Sequence, residues 1–323
     1  MSRAAERNLL VLASAAASGL ALASLLAANG ATVHRTRPRR GVALRRDRHP
    51  RAEAVTAARE LNRAAGTLAA SVFADSSVEH YRGSFKNKAM YTPLIVSALT
   101  LATSIHGTGD MRPLAHKARD AIYLLAAATG LVGTGFHLYN VGKKVGGFCW
   151  QNLFYGAPIG APMAILLSGL LGFCSERVRE SDRRRPKIFG LPAGRTVAAV
   201  AGAGLLGTTG EAGLLHLRGA YHNPFMTVPV TLPPVGAALL MSAAGGRYGR
   251  MHRLTRWWMR LLTVMGVAGV GFHAYGVSRN MGGWRNWSQN ILNGPPLPAP
   301  PSFTGLALAG LSALGLMRED PDA

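Results

Sequence analysis

Cysteine, negative charge and aromatic rings are all scarce in this chain, and each shortage removes a class of protein. Two cysteines in 323 residues exclude a disulfide-stapled fold. Cys149 falls in a loop and Cys174 near the far end of the next helix. At about 1.5 Å per residue they stand far beyond the ~7 Å Cα limit for a bridge, so free thiols are expected. Only 16% of residues are charged while 48% are apolar, too little charge for the two soluble domains this length would otherwise suggest. A glycine-rich phosphate loop, a nucleophile elbow, a CxxC pair and an HExxH helix are all missing, and no enzyme class follows from motifs.

What is present is hydrocarbon in blocks. Stretches 9–28, 121–136, 163–173, 197–215, 261–272 and 303–317 are almost free of charge and, lengthened by their flanks, approach the ~20 residues that cross a bilayer core. Thirty-nine glycines suit membrane helices, where small residues bring backbones together. The formal charge of +21 is carried by arginines between the apolar blocks, which is the pattern of cytoplasmic loops rather than of a nucleic-acid surface. Membrane lipid, and not nucleic acid, is the expected partner. The first apolar stretch is longer than a signal-peptide core and reads as an anchor.

Self-comparison is more informative than hydropathy. At an offset of 136 (216 − 80), His80, Arg82, Gly83, Asn87, Met90 and Pro93 recur as His216, Arg218, Gly219, Asn223, Met226 and Pro229. At the same offset Gly130, Gly133, Gly135, Phe136, His137 and Tyr139 recur as Gly266, Gly269, Gly271, Phe272, His273 and Tyr275. After a small insertion, Trp150, Gln151, Asn152, Gly156 and Pro158 recur as Trp287, Gln289, Asn290, Gly294 and Pro296. The expected fold is therefore an all-α integral membrane protein of about nine transmembrane helices, an N-terminal anchor plus two tandem pseudo-symmetric four-helix repeats. The expected divisions are an anchor (1–33), a basic linker (34–58), repeat one (59–178), a second basic linker (179–194), repeat two (195–317) and a short tail (318–323). Within the repeats, helices are expected at 60–80, 93–106, 121–139 and 158–174, then at 196–216, 229–244, 256–275 and 300–317. The first of these carries Arg63, Asp75 and Glu79, so it is expected to be shielded by neighbours.

An even number of helices per repeat puts the loops after the first and third helices of both repeats on one face. That face carries eight Lys and Arg and the opposite face sixteen, so the positive-inside bias makes the second cytoplasmic, in the plasma (inner) membrane. His80, His137, His216 and His273 then lie at the outer ends of helices. They are the candidate ligands for a haem or metal, with Asp75 and Glu211 as candidate intramembrane acids. Arg82, Arg218, Asn87, Asn223, Tyr139 and Tyr275 are candidate supporting groups on the same face.

Three readings compete for them. Paired imidazoles suit a b-type haem, and imidazole with carboxylate suits a non-haem metal. Without a cofactor, the acids mark a solute, proton or quinol path. The Trp-rich loops suit an anchor or assembly factor for an extracytoplasmic protein partner. A redox or metal-binding subunit stands slightly ahead of a transporter on the sequence. Set against all three is a purely architectural role, in which the histidines bond helix-end carbonyls, the acids make buried hydrogen bonds, the arginines reach the interface and the asparagines cap turns.

Overall fold

The computed structural model describes residues 50–181 and 186–318. The expected anchor, most of the first linker and the end of the tail lie outside the described residues. Among those described, the long elements are helices α1 (Pro50–Arg82), α2 (Thr92–Gly109), α3 (Lys117–Gly142), α5 (Gly160–Arg179), α6 (Ala193–Arg218), α7 (Val228–Ala244), α8 (Tyr248–Arg279) and α10 (Pro301–Arg318). Short helices α4 (Trp150–Phe154) and α9 (Trp287–Asn293), three 3-10 turns (Lys88–Tyr91, Pro224–Thr227 and Gly283–Asn286) and a hairpin of two-residue strands, β1 (Lys187–Ile188) with β2 (Leu191–Pro192), complete the order.

Local sequence explains where helices start and stop. α2 and α7 carry proline in their first turn, where the missing N–H costs nothing. α1 ends before Gly83, and Ser84 and Phe85 then turn left-handed with φ of 57° and 46°. The Phe85 N–H bonds back to the His80 carbonyl at 3.1 Å, closing the last turn. α6 ends in the same way, with Ala220 and Tyr221 at φ of 53° and 46° and the Tyr221 N–H on the His216 carbonyl at 3.2 Å.

Six of the long helices, α2, α3, α5, α6, α7 and α8, are long and apolar enough to cross a membrane. With no strand beyond a tiny hairpin among the described residues, they make this an all-α bundle of integral-membrane type. The two long helices outside that set, α1 and α10, are the most covered. Every residue of α1 from Leu61 to Val78 is buried except Arg63, Phe73 and Asp75, and nearly all of α10 is buried. α1 packs against α2, α5 and α10, while α10 packs against α6, α8 and α1. Polar side chains on α1 are thus surrounded by apolar helices rather than by lipid, the arrangement that makes them tolerable at membrane depth.

The helices are longer than expected at several ends. α1 begins at Pro50, inside the stretch read as linker, because its first turns are alanine-rich and helix-forming despite Arg59 and Glu60. α8 begins at Tyr248 rather than 256, and α5 runs on to Arg179. Charge density marks where the apolar core stops. It does not stop a helix.

Close packing of α3 on α5 and of α8 on α10 depends on missing side chains. A Cβ at Gly130 would overlap the backbone of Pro162 and Leu166, and one at Gly266 would overlap Thr304 and lie 2.8 Å from the Pro300 carbonyl. Gly133 and Gly269 face Pro162 and Pro300 less severely, and Gly135 and Gly271 face open space.

Candidate functional site

The four histidines lie near one end of the bundle, and each makes the same kind of bond. His80 Nδ1 meets the Met90 carbonyl at 2.5 Å, and His216 Nδ1 meets that of Met226 at 2.7 Å. His137 Nδ1 bonds the Pro158 carbonyl, and His273 Nδ1 that of Pro296 at 2.6 Å. A carbonyl can only accept, so each Nδ1 carries the proton and donates. Each imidazole thereby ties its helix to the entrance of another, and its Nε2 is left as an acceptor or ligand, the tautomer found in ligating histidines. His80 interacts electrostatically with His137, and His273 with His216, so the imidazoles pair within each half of the chain. Among the described residues, no three of His, Cys, Asp and Glu gather closely enough to hold a metal ion.

The acids stand in opposite halves of the chain and act on one another only through their charge. Asp75 on α1 and Glu211 on α6 interact electrostatically, although 136 residues (211 − 75) separate them. Glu79 and Arg82 also act on Asp75, and Arg218 on Glu211. The Glu211 carboxylate lies against the backbone N–H groups of Ile159 and Gly160 at the start of α5. Arg82 donates to Glu79 and to the Leu292 carbonyl of α9, while the Arg218 guanidinium lies 5.5 Å from the centre of the Phe154 ring of α4. Each arginine thus reaches from one half of the chain onto the short loop helix of the other.

The remaining candidates stand apart from this centre. Tyr139 and Tyr275 are 64% and 60% exposed and carry Lys143 and Arg279 over their rings at 5.4 and 5.8 Å, a cation–π arrangement at the bundle surface. The Asn87 side chain accepts from the Ala89 N–H, and Asn223 from that of Phe225, each capping the 3-10 turn that leads into the next helix. Asn152 and Asn290 donate to the carbonyls of Gly147 and Gly283, both at 2.8 Å, and so hold the loops after α3 and α8.

A second polar cluster, unnoticed in the sequence, lies at the opposite, arginine-rich end. Arg119 bridges Asp110 and Glu176, both at 2.8 Å. Arg179 donates to the carbonyls of Gly107, Asp110 and Arg112 at 2.7, 2.7 and 3.1 Å. Hydrogen bonds from Arg112, then Arg119, hold the Asp110 carboxyl well below the usual carboxylate range, against the opposing effect of burial. Deeper in, Tyr123 donates to Asn62 and its hydroxyl lies 3.3 Å from that of Ser104, and Asn62 donates to Ser175 at 2.9 Å. At the matching positions of the second half stand Ala198 for Asn62, Met259 for Tyr123, Leu240 for Ser104, Ala313 for Ser175 and Leu314 for Glu176, all buried and apolar. The signal was available in the sequence as polar residues facing apolar ones between otherwise matching halves. Arg119 and Arg179 are read there simply as loop charge.

Compared with protein-family models, curated proteins and solved structures, the chain matches none.

Proposed function

We propose that this chain is a proton-handling membrane transporter whose working centre lies at the histidine end. The observation that carries the reading is Asp75, an ionisable side chain on the highly covered helix α1 that lies within the electrostatic reach of Glu211 of the other half. Ionisable groups at membrane depth are costly, and an acid on a helix surrounded by apolar neighbours calls for a use beyond packing. The arginine-rich end faces the cytoplasm of the plasma membrane and the histidine end faces out, by the bias of Lys and Arg between the loops. The chain is a duplicated four-helix unit with an additional N-terminal span. The matched histidine bonds, the paired left-handed turns after α1 and α6, and the crossed Arg82 and Arg218 contacts support this reading. The test is purified protein in sealed vesicles with a trapped pH dye. An imposed potential, negative inside, should acidify the lumen faster than in protein-free vesicles, and equal rates would reject the reading.

A second reading is favoured by the histidine tautomers. Two pairs of imidazoles, each with Nδ1 committed to a carbonyl and Nε2 open, support axial ligation of a b-type haem and a redox role. It calls for a Soret band in the purified protein that His80→Ala or His137→Ala removes from one half. A colourless protein that also binds no added haem leaves the proton reading alone.

A further inference from the structure

Resting on the proton-handling reading, we infer that the two acids have divided their roles. Asp75 alone carries the proton, along a winding row of α1 that includes two hydroxyls, and Glu211 serves as a helix cap that positions α5. Glu211 lies at the N-terminus of α5, where unpaired N–H groups favour an anionic acceptor. The fit requires glycine, since a Cβ at Gly160 would lie 2.8 Å from Glu211 Cγ. The residues matching Ile159 and Gly160 at the entrance to α10 are Leu297 and Pro298. Proline has no N–H, and the Pro298 carbonyl is already bonded by the Ser71 hydroxyl at 2.5 Å. Asp75, one methylene shorter than Glu211, cannot be held by the same pair of donors. The charged groups that act on it are Glu79 and Arg82 of its own helix and Glu211 of α6.

The path to Asp75 is also confined to one half. Arg59, Arg63, Thr67, Ser71, Asp75 and Glu79 follow one another at four-residue intervals in a row that winds around α1 by about 40° per step, so that neighbours in the row stay adjacent. Successive groups rise by about 6 Å, the reach of a side chain plus one water. Thr67 and Ser71 are buried, and Ser71 Oγ also meets Ser302 Oγ at 2.9 Å. The matching row of α6 reads Arg195, Ala199, Ala203, Gly207, Glu211 and Leu215, and Ser302 is matched by Ala164. Hydroxyls both donate and accept, so they pass a proton by reorienting, whereas methyl groups cannot. The carboxylate of Asp75 takes up one proton and becomes neutral, then releases it and regains its charge. No electron moves.

The test compares single variants in two readouts. In the vesicle assay Asp75→Asn should lower proton flux by about tenfold or more, Ser71→Ala by several-fold, and Glu211→Gln by only about two- to threefold. Infrared titration of the detergent-solubilised protein gives the second readout, and it is informative even where wild-type flux is absent and the transport reading has failed. A protonated-carboxyl band should vanish in Asp75→Asn and persist in Glu211→Gln. Equal flux losses from the two acids, or a band that survives in Asp75→Asn, would overturn the division of roles.

Discussion

A carbonyl oxygen that can only accept fixes the proton of each of the four histidines on Nδ1, and that one constraint explains much of the histidine end. Their spacing is readable in the sequence; their partners are not, because Met90, Pro158, Met226 and Pro296 reach them through turns whose path depends on left-handed residues and on capping by Asn87 and Asn223. Asp110 is the residue whose titration is easiest to follow, since it lies between spans. Its folded-state pKa is depressed by Arg112 and Arg119, so the stability it contributes is complete above its unfolded value, about 3.9, and is lost as pH falls through the lower folded value. The melting temperature of the solubilised protein should therefore fall as pH drops below about 4. Asp110→Asn should start lower and show a flatter acid limb; an unchanged acid limb would mean that the carboxylate does not hold this loop.

The helices show which features of a sequence survive into three dimensions. Six apolar blocks or their flanks become helices long and apolar enough to cross a membrane, and even α1, with its arginines and acids, is a helix covered by neighbours. Ends are less legible, because helix propensity continues through charged turns at α1, α5 and α8 after the apolar run has ended. The buried ionic cluster around Arg119 and Arg179 was hidden by the same bias, since arginine at a loop reads as topology until its partners are known. Where two backbones meet, glycine decides the spacing. Gly130→Leu should destabilise the bundle by at least about 1–3 kcal/mol, because the added side chain meets the backbone of α5 rather than a movable side chain. Gly135→Leu, at an open position, supplies the control, and matched melting temperatures for the two variants would remove the packing argument.

At the scale of the molecule, matched histidine bonds and left-handed turns stand at one end and an unmatched polar cluster at the other. The sequence makes the first visible through residues that recur. It hides the second, because the positions that align with the cluster hold alanine, methionine and leucine that look like ordinary core. Orientation has a reporter already in place. Cys149 is exposed near the histidine end and Cys174 is buried, so an impermeant maleimide added to intact cells should label Cys149. A cysteine at exposed Lys187 should be protected until the cells are opened, and the reverse pattern would invert the topology.

The central claim is that protons are handled at Asp75, within the electrostatic reach of Glu211, and proton entry into sealed vesicles under an imposed potential tests it most directly. Wild-type protein should acidify the lumen well above the protein-free rate, and the double variant Asp75→Asn with Glu211→Gln should fall back to that baseline while remaining folded in detergent. A double variant that carries protons as fast as the wild type would contradict the account.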